Sequence, residues 1–250
     1  MSTRLNILGI CLDNLSLDEL IALINLKIKQ DEKISIGYIN VHICNFARKH
    51  SGFRNTINNF SIVHPDGIGI YMASRILNGK RGLYRRYTGT DLYYKLFREN
   101  PDLKYFLLGG FENCSERMME NVKVSVSSEI KIAGSIYNPS YTDNDVDIIN
   151  KSGADILFVA LGTPYQEDWI NENKQKIKTP VTIAIGSGLY FLSGVIKRAP
   201  KWMRGIGLEW LYRLYQEPKR LWKRYILGIP IFVFNIIVIK VKLLFKKEST

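Results

Sequence analysis

Seven short apolar runs, separated by segments of helical character, limit what this chain can fold into; they lie at 6–12, 34–39, 61–63, 105–108, 131–136, 156–161 and 181–185. Most are continuous rather than alternating, as expected of strands covered on both faces. The segments between them carry helix-start signals. Ser16-Leu17-Asp18-Glu19 and Thr163-Pro164-Tyr165-Gln166 read as capping boxes, the second with proline at its first helical position. Thr142 is followed by Asp143 and Asp145, an acidic helix start. The alternation predicts an α/β fold, a Rossmann-like and mainly parallel sheet with helices on both faces. The first run lacks the longer apolar stretch and small-residue cleavage site of a signal peptide, so it is expected to be the first strand.

Sheets of this kind bind ligands beyond the carboxyl ends of their strands. Asn40 follows the second run, Asp66 the third, Gly109-Gly110 the fourth, Gly162-Thr163-Pro164 the sixth and Gly186-Ser187-Gly188 the seventh. Glycine lets backbone amides approach a ligand, and helix N-termini favour an anion such as a diphosphate. Neither a complete G-x-G-x-x-G fingerprint nor a G-x-x-x-x-G-K-[ST] loop is present, which counts against a nucleotide-binding oxidoreductase on the same scaffold. Asp66, between Pro65 and Gly67, reads either as a turn or cap residue or as a general base at the ligand edge.

Composition and charge sort the remaining classes. Cys11, Cys44 and Cys114 form no C-x-x-C pair, which points to a reducing compartment and away from a disulfide framework or zinc site. Asp143, Asp145 and Asp147 contain D-x-D spacings, but their place at a helix start favours capping over a metal-bound sugar nucleotide. His42, His50 and His64 fall at no metal-ligand spacing. No metal or other cofactor is expected. From residue 197 onward thirteen Lys or Arg face three Asp or Glu, so a formal +10 of the total +12 lies in this tail. A near-neutral domain of residues 1–196 with a basic appendage of residues 197–250 predicts an anionic partner for the appendage.

Within the appendage, Leu208, Leu211, Tyr212 and Tyr215 make one helical stripe, and Pro218 opens a second helix with Leu221, Trp222 and Tyr225 on one face. Arg220 and Arg224 are helical neighbours, and Arg213 can join them across the junction. They read as a solvated basic face or as a phosphate clamp, to which arginine's planar fork is suited. The fifteen residues 225–239 carry no charge, contain Pro230 and Asn235, and lead into Lys240, Lys242, Lys246 and Lys247. That is shorter than the ~20 residues of a usual spanning helix. It fits a segment lying in the membrane interface, and an exposed apolar run of this kind is a poor match to nucleic acid. A non-catalytic membrane adaptor would use the tail alone and leave the glycine-lined sheet edge without a purpose. Self-association is left open.

Several stretches together resemble one family. They are PDGIGI with the following Gly89-Thr90-Asp91-Leu92, the LLGG turn, LGTPYQEDWI, and GxxKRAPxWMRxxGLEWLYRLxxEPxRLWxRY from Gly194 to Tyr225. They are similar to the WecG/TagA/CpsF glycosyltransferases over nearly the whole chain. The resemblance implies a Rossmann-like, metal-independent enzyme at the cytoplasmic membrane face. Such an enzyme moves a sugar from a UDP-sugar, often UDP-N-acetylmannosamine or its uronate, to a polyprenyl-diphosphate-linked acceptor. It implies that Asp66 is the base and that Arg213, Arg220 and the Lys223/Arg224 pair close over the diphosphate. Asn40 matches the asparagine of a T-x-N motif whose threonine is Tyr38 here. Pro164, Gln166 and Glu167 match P-x-Q-E. Gly67, Gly109, Gly110, Gly162, Gly186, Gly188 and Arg198 complete the implied substrate-binding set. Tyr190-Phe191 stands where many members carry Asp or Asn. UDP is already an acidic leaving group, so fixed positive charge can replace the second carboxylate that a glycosidase needs.

Overall fold

The computed structural model describes residues 4–126, 129–140 and 142–248, except for the side chains of 246–248. Lys246 and Lys247 of the basic tail therefore have side chains outside the described residues. The first apolar run is not one strand but two. β1 (Arg4–Ile7) turns through Leu8 and Gly9, both at positive φ (55° and 85°), into the antiparallel β2 (Ile10–Asp13). Two successive left-handed residues give the hairpin turn whose twist suits paired strands. This corrects the expectation of a first sheet strand at 6–12. The hairpin lies along the open side of β4 (Ile62–Pro65), where Asp13 accepts the Val63 N–H at 2.9 Å and Arg4 donates to the Ser61 carbonyl at 2.8 Å. An edge that would otherwise offer unpaired groups is thus covered.

The other strands are β3 (Ile34–Ile39), β5 (Lys104–Gly109), β6 (Lys131–Ile136), β7 (Ile156–Ala160) and β8 (Val181–Ala184). With β4 they form one all-parallel six-stranded sheet in the order β4-β3-β8-β7-β5-β6. The predicted α/β architecture is present. Each central strand buries both faces, so the molecule has two apolar clusters. Ile39, Val63, Phe106, Leu108, Leu157 and Val159 point to one, beneath the helices Val41–Lys49 and Ile68–Asn78. Ile36, Ile62, Tyr105, Leu107, Ile156 and Phe158 point to the other, beneath Leu17–Gln30, Gly89–Glu99 and Cys114–Val126. The two-residue period of a strand produces this division.

All six strands run the same way, so their carboxyl ends share one rim. Beyond it the chain continues as the helices Lys201–Ile206, Glu209–Gln216 and Pro218–Trp222, then a π-helical turn at Lys223–Leu227 and the helix Gly228–Glu248. The stretch Pro218–Phe245 is 28 residues long with a mean hydropathy of 2.2 in its most apolar part, long and apolar enough to cross a membrane by length and composition. The uncharged run stops at Ile239, but the helix does not, because isolated lysines do not end a helix. Phe232 and Ile236 bury this helix in the first cluster, and Asn45 donates to the Gly228 carbonyl at 2.7 Å.

Gly109 and Gly110 follow β5 at φ +93° and +96°, and both are packed tightly. A Cβ on Gly109 would meet the Ala160 carbonyl at 2.8 Å, and one on Gly110 the Leu189 side chain at 2.4 Å. Both the backbone conformation and the lack of space demand glycine. Gly110→Ala is expected to lower stability by about 1–3 kcal/mol through overpacking, and further through backbone strain. Thermal unfolding measures this, and an unchanged melting temperature would refute the packing account.

Candidate active site

A cavity of about 650 Å³ opens at the carboxyl rim beside β4, β3, β8 and β7, roofed by the C-terminal helices. Asp66 lies in its wall. Its backbone N–H donates to the Ile39 carbonyl at 2.8 Å, which fixes it beside the end of β3. The helix Ile68–Asn78 starts at Gly67 without any side-chain cap, so the cap reading of Asp66 is not what the structure contains. Its carboxylate instead accepts the Gly89 N–H at 3.1 Å and the Asn40 side-chain amide at 3.4 Å. Gly89 is the first residue of the helix Gly89–Glu99, where the amide dipoles favour negative charge. Asn40 has two tasks, since its Oδ1 also caps Val41–Lys49 by accepting the Ile43 N–H at 3.1 Å. Glu209 is a second carboxylate in the wall, but Arg198 neutralises it at 3.4 Å. The hydrogen bonds that hold Asp66 come from neutral donors, which leaves it fit to take a proton from a substrate hydroxyl.

Behind this wall is a buried polar network. Gln166 Oε1 accepts the Gly186 N–H at 2.9 Å, while its Nε2 donates to Glu167 Oε1 at 2.7 Å and, at 3.5 Å, to the Tyr38 hydroxyl. Gln166 and Glu167 are fully buried and do not line the cavity. They act on it through Gly186 and Tyr38, which do. This corrects the capping-box reading of 163–166: Pro164 is the N-cap of Tyr165–Asn173 with no side-chain cap, and the Thr163 hydroxyl donates to Glu167 at 2.9 Å. Burial, then the negative charges of Glu167 and Asp66, push the Tyr38 phenol up to about 12, so it remains a donor. Burial pushes the Glu167 carboxyl up to about 7.

Arg213, Arg220 and Arg224 line the same cavity. Arg213 donates to the Ser187 hydroxyl at 3.1 Å and lies 5.0 Å over the Phe191 ring, with its buried Nε unpartnered. Glu217 holds Arg220 through two hydrogen bonds of 2.7 and 2.6 Å and stands 3.8 Å from Arg213. Arg224 projects from the π-helical turn, where the widened backbone also carries Tyr225 into the cavity wall. His42 is beside it, pushed down to about 4 by burial and then by the Arg224 charge. Lys223 does not line the cavity and lies over the Trp222 ring.

The Glycosyl transferase WecG/TagA/CpsF family model matches residues 5–246. The chain belongs to this glycosyltransferase family. A Bacillus subtilis (strain 168) relative named N-acetylglucosaminyldiphosphoundecaprenol N-acetyl-beta-D-mannosaminyltransferase is 33% identical over 217 residues, 83% of this chain and 81% of its own. Staphylococcus aureus proteins of the same name, from strains MW2 and NCTC 8325 / PS 47, are each 27% identical over 253 residues, 97% of this chain and 95% of their own.

Against this family background, the implied site residues separate into three groups. Tyr38, Asn40, Asp66, Gly67, Gly162, Gly186, Gly188, Arg213, Arg220 and Arg224 meet in the cavity of this glycosyltransferase. Gln166 and Glu167 stand behind it. Gly109, Gly110, Pro164 and Arg198 lie outside its lining. Arg198 pairs with Asp91 at 2.8 Å as well as with Glu209, and so joins the appendage to the helix Gly89–Glu99. Asp143, Asp145 and Asp147 are also away from the cavity, at the start of Asp143–Lys151. Sequence reasoning named Ser187 at a strand end and Gly89 in a family stretch without giving either a task, and it missed Thr88 and Glu217. Thr88 had a legible signal, the T-x-x-D spacing to Asp91 that forms a capping box.

Glu167 makes a pH-dependent contribution. Its proton is held more tightly in the folded state, so the stabilisation is complete below about pH 4.5 and is lost as pH rises through about 7, up to ~3 kcal/mol in all. Glu167→Gln keeps an acceptor and cannot ionise. Its melting temperature should therefore rise relative to wild type between about pH 5 and about pH 8. A difference that does not vary with pH would contradict the assignment.

Proposed function

We propose that this glycosyltransferase moves an N-acetylmannosamine-type sugar from a UDP-sugar to a saccharide carried on a polyprenyl diphosphate, in making a cell-surface polymer such as teichoic acid. The observation that carries the reading is the pairing, in one cavity, of Asp66 with Arg213, Arg220 and Arg224. Asp66 takes the proton of the acceptor hydroxyl, whose oxygen attacks the anomeric carbon. The bond from that carbon to the UDP oxygen breaks, and its electron pair remains on the diphosphate. The arginines offset the charge that develops there, so no second carboxylate is needed. One displacement inverts the anomeric centre. The names of the relatives support the sugar and the acceptor.

Metal independence is part of the proposal. Three guanidinium groups supply the positive charge at the leaving group, and among the described residues no three His, Cys, Asp or Glu side chains gather to hold a cation. Residues 197–250 act as an appendage that completes the site and holds the enzyme at the cytoplasmic face of the membrane. The helix Gly228–Glu248 exposes Ile226 just before it and Ile231, Phe234 and Val241 along it, with Lys240 and Lys242 near its end. Its Phe232 and Ile236 are fixed in the core of the body. A helix fastened along the body would draw polar surface into the bilayer if it crossed, whereas lying in the interface avoids that cost.

Asp66→Asn should fold normally and bind donor, while kcat falls ~10²–10⁴-fold, the usual loss for a general base. Steady-state transfer to a soluble short-chain acceptor measures this, and wild-type turnover would rule out Asp66 as base. Activity should also survive EDTA. A strict Mn²⁺ or Mg²⁺ requirement would overturn the arginine account.

A further inference from the structure

Part of the cavity wall has no task in handling a sugar nucleotide. Met72 and Ile76, one helical turn apart on Ile68–Asn78, line it from one side. Val233 and Ile237, likewise one turn apart on Gly228–Glu248, line it from the other. These four apolar side chains remain 55%, 43%, 46% and 51% exposed. The two helices are held together deeper down, where Phe232 and Ile236 are buried, so the gap between the four is not closed by packing. The cavity is therefore two-natured. Asp66 and the arginines form part of its lining, and apolar side chains facing it from two helices form the walls of a slot in the same cavity.

We propose that this slot receives the first isoprene units of the lipid-linked acceptor; this rests on the acceptor reading above and adds the place of the lipid. A UDP-sugar has no hydrocarbon chain to cover such walls. A polyprenyl diphosphate has its charged group joined directly to a branched hydrocarbon chain, which matches a single cavity lined by both arginines and apolar side chains. Covering half-exposed aliphatic side chains with hydrocarbon is favourable, and the contribution grows with each buried carbon. The same helix carries Ile231 and Phe234, exposed on its remaining surface. The chain beyond the first units thus leaves the slot alongside the surface assigned to the bilayer, and the lipid need not be drawn through water. The slot would also fix the direction from which the saccharide approaches Asp66.

The test uses the full-length chain and soluble saccharide diphosphates bearing one, two or three isoprene units, without vesicles. Wild-type KM for the acceptor should fall roughly tenfold or more from one unit to three, with little change in kcat. Met72→Gln and Ile237→Gln alter half-exposed positions, so the proteins should fold; a melting curve checks this. Each should flatten the dependence of KM on chain length. Turnover with a KM that does not vary with chain length, or an unaltered dependence in both folded variants, would overturn the slot and leave the glycosyltransfer reading standing. No turnover with any of the three acceptors, when UDP still binds, would refute the acceptor reading itself and the slot with it.

Discussion

Arg198 reaches Asp91 at 2.8 Å on one side and Glu209 at 3.4 Å on the other, and through this pair the appendage is fastened to the rim of the sheet. Asp91 also accepts the Thr88 N–H at 3.0 Å and the Thr88 hydroxyl at 2.9 Å, closing the capping box of Gly89–Glu99. The first amide of that helix binds Asp66. The proposed base and the helices that carry the arginines therefore share one joint. Burial alone would raise the Asp91 pKa, but the Arg198 charge and hydrogen bond hold it below the usual carboxylate value. Arg86 strengthens the joint by donating to the carbonyls of Arg204 and, at 2.9 Å, Gly205. Removing Arg198 would take from Asp91 its 2.8 Å partner, leaving Arg204 at 3.8 Å, and would break the ion pair of the largely buried Glu209, which is costly.

The division of labour follows from where charge can be kept. Carboxylate and guanidinium groups placed side by side neutralise each other, as Glu217 partly does to Arg220, but the hydrogen bonds that hold Asp66 come from neutral donors. Asn40 and the Gly89 amide hold Asp66, Ser187 and Phe191 hold Arg213, and Glu217 holds Arg220. Tyr38, kept as a neutral phenol, lines the wall near Gly186. Such preorganisation is what gives hydrogen-bond donors their effect on a developing charge. The helix Gly228–Glu248 serves two ends, one face closing the cavity and the others left apolar and exposed.

What was legible in the sequence is what depends on neighbours in the chain. The runs at 34–39 and 131–136 match β3 and β6 at both ends; β3 is largely buried, as its apolar residues imply, whereas β6 is an edge strand without a fully buried residue. The run at 6–12 misled because Leu8 carries no turn signal although it takes a positive φ. Gln166 fits a capping spacing locally, yet its partners are Gly186, Glu167 and Tyr38, and all but Glu167 lie far along the chain. Arg198 reads as one more base in a basic tail, and its partner Asp91 belongs to a distant helix. The rim residues Asn40, Asp66, Gly162 and Gly186 were legible together, because strand ends in a parallel sheet converge whatever their spacing. Gly109-Gly110 followed the same rule and failed it, since β5 lies beyond the four strands that border the cavity and its turn is filled by packing.

The central claim is that one base, opposed by fixed positive charge, performs a single displacement. The configuration of the transferred sugar tests this most directly. With an α-linked UDP-N-acetylmannosamine donor and a short-chain acceptor, the one-bond carbon–proton coupling at the product's anomeric centre reports the linkage. The account predicts a β linkage. An α linkage would require a second displacement or attack from the face of the departing diphosphate, and would contradict it.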